Sequence, residues 1–293
     1  VYSRPMRAIE TNGVTLAVDD RGEGYPVVLV HGFPETSYSW RHTAPALQDA
    51  GYRVITYDLR GSGGSSGPDE IDGYGLVTQT EDLVGILDRI GIDQAAVLGH
   101  DWGSIIAYAT ALRRPDRISH VASLNVPYLG WPSGFPSIDS IRERFSDRFG
   151  YVLGFQEPGE AERRFEVDPR AWLRRVYSSV AASNDFMTPE ELDVYATSFA
   201  VSGLAGLLNL YRNIDRNIID HSDLVGRSLA QPSFLVTVDK DPVLPADLGA
   251  RMHEFAADFE IAHIADCGHW TQQEQPDRLN EVLLDWMGRR LPA

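Results

Sequence analysis

Residues 99–103 read Gly99-His100-Asp101-Trp102-Gly103. They follow the apolar run Ala95-Ala96-Val97-Leu98 and precede a helix-favouring stretch at 104–112. A strand, a tight turn with two glycines and a helix make the setting of a nucleophile elbow. Serine usually occupies the centre of that turn. Here it is Asp101. A carboxylate attacks saturated carbon well, and the ester it forms can later be hydrolysed. The residue type therefore moves the expected chemistry from ester cleavage to opening a strained or activated C–O or C–halogen bond.

Such a nucleophile needs a base to activate water, a partner to orient the base, and donors for the charge on the ester oxygen. In this chain order the acid follows the nucleophile and the histidine comes last. The last apolar strand runs into Asp266-Cys267-Gly268-His269-Trp270, which singles out His269 among eight histidines. The strand before it ends in Thr237-Val238-Asp239-Lys240-Asp241-Pro242, so Asp239 and Asp241 are both candidates to orient His269. The oxyanion donors should be backbone N–H groups. One belongs to the residue after the nucleophile, Trp102, and one to the loop after the third strand. That loop reads His31-Gly32-Phe33-Pro34, which makes Phe33 the second donor. Trp102 can at the same time be an apolar wall of the pocket.

These residues need a scaffold that delivers them to one edge. The chain opens as a hairpin, 8–11 and 14–18, around Asn12-Gly13, a favoured two-residue turn. Strands are expected at 27–30, 54–57, 95–98, 120–124, 234–238 and 259–264. Several are continuous apolar runs, as parallel strands covered on both faces require. Helical patterns at 40–49, 79–90, 104–113, 247–257 and 276–287 separate them. This alternation predicts an α/β fold with a mostly parallel, doubly wound sheet. The rhythm breaks over 128–227, which holds no convincing strand. Thr188-Pro189-Glu190-Glu191 within it is a strong helix start. The expected organisation is a core domain, 1–127 and 228–293, with a helical cap inserted at 128–227.

Bulk composition narrows the partners. With 293 residues and 43% hydrophobic side chains, the chain suits one large domain or a domain with an insertion. A net charge of -16 disfavours nucleic acid and anionic membrane surfaces. No apolar stretch approaches the ~20 residues that span a bilayer. The start, Val1-Tyr2-Ser3-Arg4-Pro5, lacks the apolar core of a signal peptide, although a chain beginning without Met leaves a removed leader open. The single Cys267 excludes an internal disulfide and favours a reducing, cytoplasmic compartment. Gly61-Ser62-Gly63-Gly64-Ser65 lacks the Lys-Ser/Thr of a phosphate cradle and reads as a turn near the pocket. No metal or organic cofactor is expected.

The chain resembles the epoxide hydrolases of the α/β-hydrolase fold, close to the soluble type, over nearly its whole length. The resemblance rests on His31-Gly32-Phe33-Pro34, Asp58-Leu59-Arg60-Gly61-Ser62-Gly63, Gly99-His100-Asp101-Trp102-Gly103 and Asp266-Cys267-Gly268-His269-Trp270. It rests also on Tyr151-Val152-Leu153-Gly154-Phe155-Gln156-Glu157-Pro158-Gly159 and Leu210-Tyr211-Arg212-Asn213. It implies that Tyr151 and Tyr211 hang from the cap over the nucleophile and hold the epoxide oxygen. It favours Asp241 over Asp239, and it implies a cis peptide at Phe33-Pro34. The implied reaction converts a small-molecule epoxide to a vicinal diol through an ester on Asp101, a detoxifying type of chemistry, by an enzyme that can be a homodimer.

Haloalkane and haloacid dehalogenases share the aspartate and the histidine. A haloalkane enzyme must bind a halide with N–H donors, and position 33 is Phe where some carry Asn. A fluoroacetate enzyme carries arginines just after the nucleophile, whereas here Trp102-Gly103-Ser104-Ile105 follow, with no arginine before Arg113. A non-catalytic small-molecule receptor could keep the pocket while losing part of the machinery, but every catalytic position is filled here. The aromatic residues Trp131, Phe135, Phe155, Trp172, Phe186 and Phe199 can line the pocket or form the core of the cap.

Overall fold

The computed structural model describes residues 6–131 and 136–291. Positions 1–5 and Phe135 lie outside the described residues. The hairpin forms as β1 (Arg7–Thr11) and β2 (Val14–Arg21). Asn12 and Gly13 both adopt positive φ between them, as that turn demands. Then follow β3 (Pro26–Val30), α1 (Thr43–Asp49), β4 (Arg53–Tyr57), α2 (Leu76–Arg89), β5 (Ala95–His100), α3 (Trp102–Arg113) and β6 (Ile118–Leu124). After an inserted helical region come β7 (Ser233–Val238) and β8 (Phe259–Ile264). The eight strands form one sheet in the order β1-β2-β4-β3-β5-β6-β7-β8. β2 pairs antiparallel with β1 and β4, and the remaining pairs are parallel.

Period-two alternation along the strands sorts their side chains onto two covered faces. Val28, Val30, Val97 and Val121 pack with Leu83, Leu87 and Ile106 of α2 and α3. Val27, Leu29, Ala96 and Leu98 pack on the other face with Leu47 of α1. The closing helix adds Leu279, Leu283 and Trp286 to that second face. Six parallel strands thus end on one edge, and the loops after them carry the residues singled out above.

The insertion between β6 and β7 contains α4 (Ile138–Arg144), α5 (Ser146–Phe155), α6 (Glu160–Val167), α7 (Pro169–Val180), α8 (Pro189–Ser202), α9 (Ala205–Arg212) and α10 (Ile214–Asp220). The helix start read at Thr188 is a full capping box: Thr188 and Glu191 each bond the other's backbone N–H. An isolated bridge between Trp131 and Val225 ties the two ends of the insertion together. The chain finishes with α11 (Thr271–Glu274) and α12 (Pro276–Arg290).

Two expected helices differ. The segment 40–49 is split: a 3-10 turn at Ser37–Trp40 closes when Arg41 N–H bonds Tyr38 O, and α1 starts afresh at Thr43. Pro45 then falls in the first turn of α1, where no intrahelical donor is needed. The segment 247–257 is 3-10 over Ala246–Glu254, with i to i+3 bonds such as Leu248 N–H to Pro245 O. There Gly249 lies so close to Leu235 and Thr237 of β7 that a Cβ would crowd them.

Among the described residues, no single helix is long and apolar enough to cross a membrane. α8 and α9 pass together on length and composition, but they meet at 80°. Much of their apolar surface, including Tyr195, Phe199 and Leu207, is buried inside the protein.

Candidate active site

β5 ends at His100 and α3 begins at Trp102, so Asp101 alone makes the turn, at φ 52° and ψ -123°. A non-glycine residue there is strained, and the turn holds because its neighbours leave no other path. A side chain at Gly103 would collide with the Val30 carbonyl, and one at Gly32 with Asp101 itself. The carboxylate therefore sits against the loop after β3. Phe33 N–H donates to its Oδ1 at 2.8 Å, and the Phe33-Pro34 peptide is cis. Trp102 opens α3, which puts its N–H at the positive end of the helix beside Asp101.

His269 stands in the loop after β8. Its Nδ1 meets Asp241 Oδ2 at 2.7 Å, and its Nε2 lies 3.7 Å from Asp101 Oδ2. Asp241 is held from three sides, by Asn125 Nδ2 at 2.9 Å and by the N–H groups of Val243 and Leu244. Asp239, the other candidate, is exposed and accepts a bond from Cys267 N–H. Burial alone would push the Asp241 carboxyl up, but the charge and bond of His269 hold it well below the usual carboxylate range. Burial likewise disfavours a charged His269, yet Asp241 and Asp101 on either side outweigh it and hold the imidazole well above its ordinary value. For Asp101, burial is outweighed by His269, His100 and the Phe33 N–H, so it stays ionised.

Tyr151 of α5 and Tyr211 of α9 face this group from the insertion. Their rings lie 6.0 Å apart and their hydroxyls are hydrogen-bonded to each other. The Trp102 side chain, whose one donor is its indole N–H, also bonds the Tyr211 hydroxyl. Burial first, and the Asp101 anion second, hold the Tyr211 phenol protonated above its usual range, and the same two causes raise the phenol of Tyr151, a residue 43% exposed. Tyr211 is fixed edge-on against Phe33 and Trp102.

Two cavities share Asp101, Tyr151, Tyr211 and Val243. One, of about 120 Å³, runs past Ile105, Tyr128, Trp131 and Phe149. The other, of about 300 Å³, runs past His269 and Phe155 to Asp147 and Arg148. Of the aromatic candidates, Trp131 and Phe155 line a cavity, Phe199 is fully buried, and Trp172 packs edge-on to Phe33 and Phe165. Phe186 packs on Tyr177, away from Asp101.

The residue patterns passed over three contributors. Asn125, at φ 66° after β6, spans Asp241 and Thr271. Glu35 and His100, both fully buried, meet at 2.8 Å, while His100 Nε2 lies 2.8 Å from the His269 carbonyl. A carbonyl only accepts, so Nε2 carries a proton, and the contact with Glu35 needs one more. The pair is neutral overall whichever side holds that second proton. His100 sits inside the elbow motif and Glu35 directly follows the His31-Gly32-Phe33-Pro34 loop, and their proximity to each other was the missing signal.

The model of the alpha/beta hydrolase fold matches residues 25–276. Epoxide hydrolase A of Mycobacterium tuberculosis is 39% identical, with 96% of each chain covered. Bifunctional epoxide hydrolase 2 of Rattus norvegicus is 35% identical over 94% of this chain and 54% of its own. The crystal structure of Epoxide Hydrolase A from Mycobacterium thermoresistibile superposes with a TM-score of 0.88 at 38% identity, covering 97% of this chain and 98% of that one.

Proposed function

The chain belongs to the epoxide hydrolases of the α/β-hydrolase fold, and from that premise we propose that it makes vicinal diols in two covalent half-reactions. Asp101 Oδ2, the oxygen not held by Phe33, attacks a ring carbon. A new O–C bond forms as the ring C–O bond breaks, and the electron pair goes to the ring oxygen. Tyr151 and Tyr211 hold that oxygen, and one of them protonates it. Esterification removes the charge of Asp101, one of the two anions that keep the proton on His269. His269 then releases that proton to solvent and acts as base. Its Nε2 takes a proton from water, and the hydroxide adds to the ester carbonyl. The Phe33 and Trp102 N–H groups bind the oxyanion, the ester C–O bond breaks, and His269 gives its new proton to the departing alkoxide. The proton left on the Asp101 carboxyl and one from solvent then restore the tyrosine and His269 as the diol leaves.

The observation that carries this reading is the meeting of Asp101, His269 and the two phenols at one cavity junction. A halide-releasing reaction is disfavoured because the Trp102 indole N–H is engaged by Tyr211. One turnover in heavy-oxygen water with enzyme in excess tests the route. The label is expected in the Asp101 carboxylate and absent from the first diol. Label in that diol would sink the covalent route.

We further assign 128–227 as a cap over a core of 1–127 and 228–293, because that stretch supplies both phenols. A cytoplasmic, detoxifying enzyme is supported by the lone buried Cys267 and by cavity walls suited to apolar electrophiles. A homodimer is supported by Val167, Val201 and Ile219, which stand exposed on the insertion and are open to a test by sedimentation.

Asp241→Asn checks the orienting role. The substitution removes the carboxylate that most favours the His269 cation. The acid limb of diol formation is therefore expected to move to lower pH, while the rate falls by about 100- to 10,000-fold. A pH–rate profile with the acid limb moved upward would contradict the assignment.

A further inference from the structure

Gln273 lies in α11, four residues past His269, and is 3% exposed. Its Oε1 accepts from Arg41 Nη1 at 2.8 Å and from the Tyr195 hydroxyl at 3.2 Å. Its Nε2 donates to Glu35 Oε1 at 2.7 Å. Only one orientation of the amide satisfies these partners, because turning it over would set an oxygen against Glu35 and N–H groups against Arg41. Both Oε1 donors report on the insertion. Tyr195 belongs to α8, and Arg41 Nε is tied at 2.7 Å to Glu191, the residue that closes the capping box of α8. Beyond Glu35 the bonds continue through His100 to the His269 carbonyl.

We infer that Gln273 is a positioning residue for the second half-reaction: it couples the docking of α8 to the Glu35–His100 pair and so fixes where the His269 backbone holds its imidazole. Gln272 also donates to Glu35 Oε1, at 2.9 Å, but has no partner on the insertion among the described residues. Gln273 is thus the side chain of the two that joins the halves. The inference rests on the two-step reaction above. It concerns the ester-hydrolysis step, because ring opening needs only the Asp101 anion and the phenols.

Gln273→Met keeps the size of the side chain and removes its polar atoms. Rapid mixing, acid quenching and mass measurement of the ester-bearing enzyme separate the two steps. Ester formation is expected within about two-fold of the parent and ester hydrolysis about ten-fold slower, as for loss of a hydrogen bond to a charged group. Gln273→Glu keeps the acceptor for Arg41 and replaces the donor to Glu35. Its hydrolysis rate, taken relative to the parent at each pH, is expected to recover as pH falls and the new carboxyl regains an O–H to donate. Tyr195→Phe, which removes one hydroxyl, should slow hydrolysis alone by about two- to three-fold. Hydrolysis at the parental rate in Gln273→Met overturns the inference, and so does a parallel loss of both steps without recovery at low pH. Absence of any ester in the parent overturns the two-step reading, and this coupling with it.

Discussion

His269→Gln is expected to stop the enzyme after one turnover, with the ester on Asp101 accumulating in stoichiometric amount. In the first step His269 does no bond chemistry. Its Nε2 lies 3.7 Å from Asp101 Oδ2, and the nucleophile is already held by the Phe33 N–H. In the second step no other described base stands beside the ester carbonyl. The nearest, His100, is occupied on one side by Glu35 and on the other by the His269 carbonyl. Loss of a positioned general base slows such a step by about 100- to 10,000-fold. A shift in mass of the intact enzyme, equal to that of the epoxide, would report the trapped species. Steady turnover near the parental rate would remove His269 from its role.

The double substitution Tyr151→Phe with Tyr211→Phe should act on the other half-reaction. The epoxide oxygen leaves as an alkoxide, and the two phenols are the donors that face Asp101 across the cavity junction. Each phenol is held protonated by burial and by the neighbouring anion, so each is available to donate over a wide pH range. Removing a donor aimed at developing negative charge costs about 100- to 1,000-fold. The pair acts as a unit, so the double loss is less than the product of the single ones. Here the ester should fail to form, while the fold, measured by thermal unfolding, stays near that of the parent because both rings are kept. Tyr211 makes the larger single contribution to packing, through edge contacts with Phe33 and Trp102. Near-normal ring opening in the double variant would remove the tyrosine assignment.

Much of the site was legible in the amino-acid order because its key features are local. The elbow at Asp101 is a strand, a turn and a helix within a few residues, and its constraints are short-range collisions around Gly103 and Gly32. The hairpin at Asn12-Gly13, the capping box at Thr188 and the continuous apolar strands are local for the same reason. The placement of His269 and of the Phe33 loop follows once parallel strands are known to end on one edge. Two helices were misread where tertiary packing overrode the pattern, at the broken turn before Pro45 and at Gly249 pressed onto β7.

Sequence by itself determined where Asp101, His269 and the Phe33 loop come together, because chain connectivity and backbone sterics bring them to the ends of neighbouring strands. Tertiary structure decided between Asp239 and Asp241, which are equivalent in composition and differ only in where the turn after β7 sends each side chain. It also set the phenols of Tyr151 and Tyr211 against each other from two different helices, and it joined Glu35, His100 and Gln273 from three separate segments. Such contacts depend on how distant elements pack, and no local pattern encodes that distance.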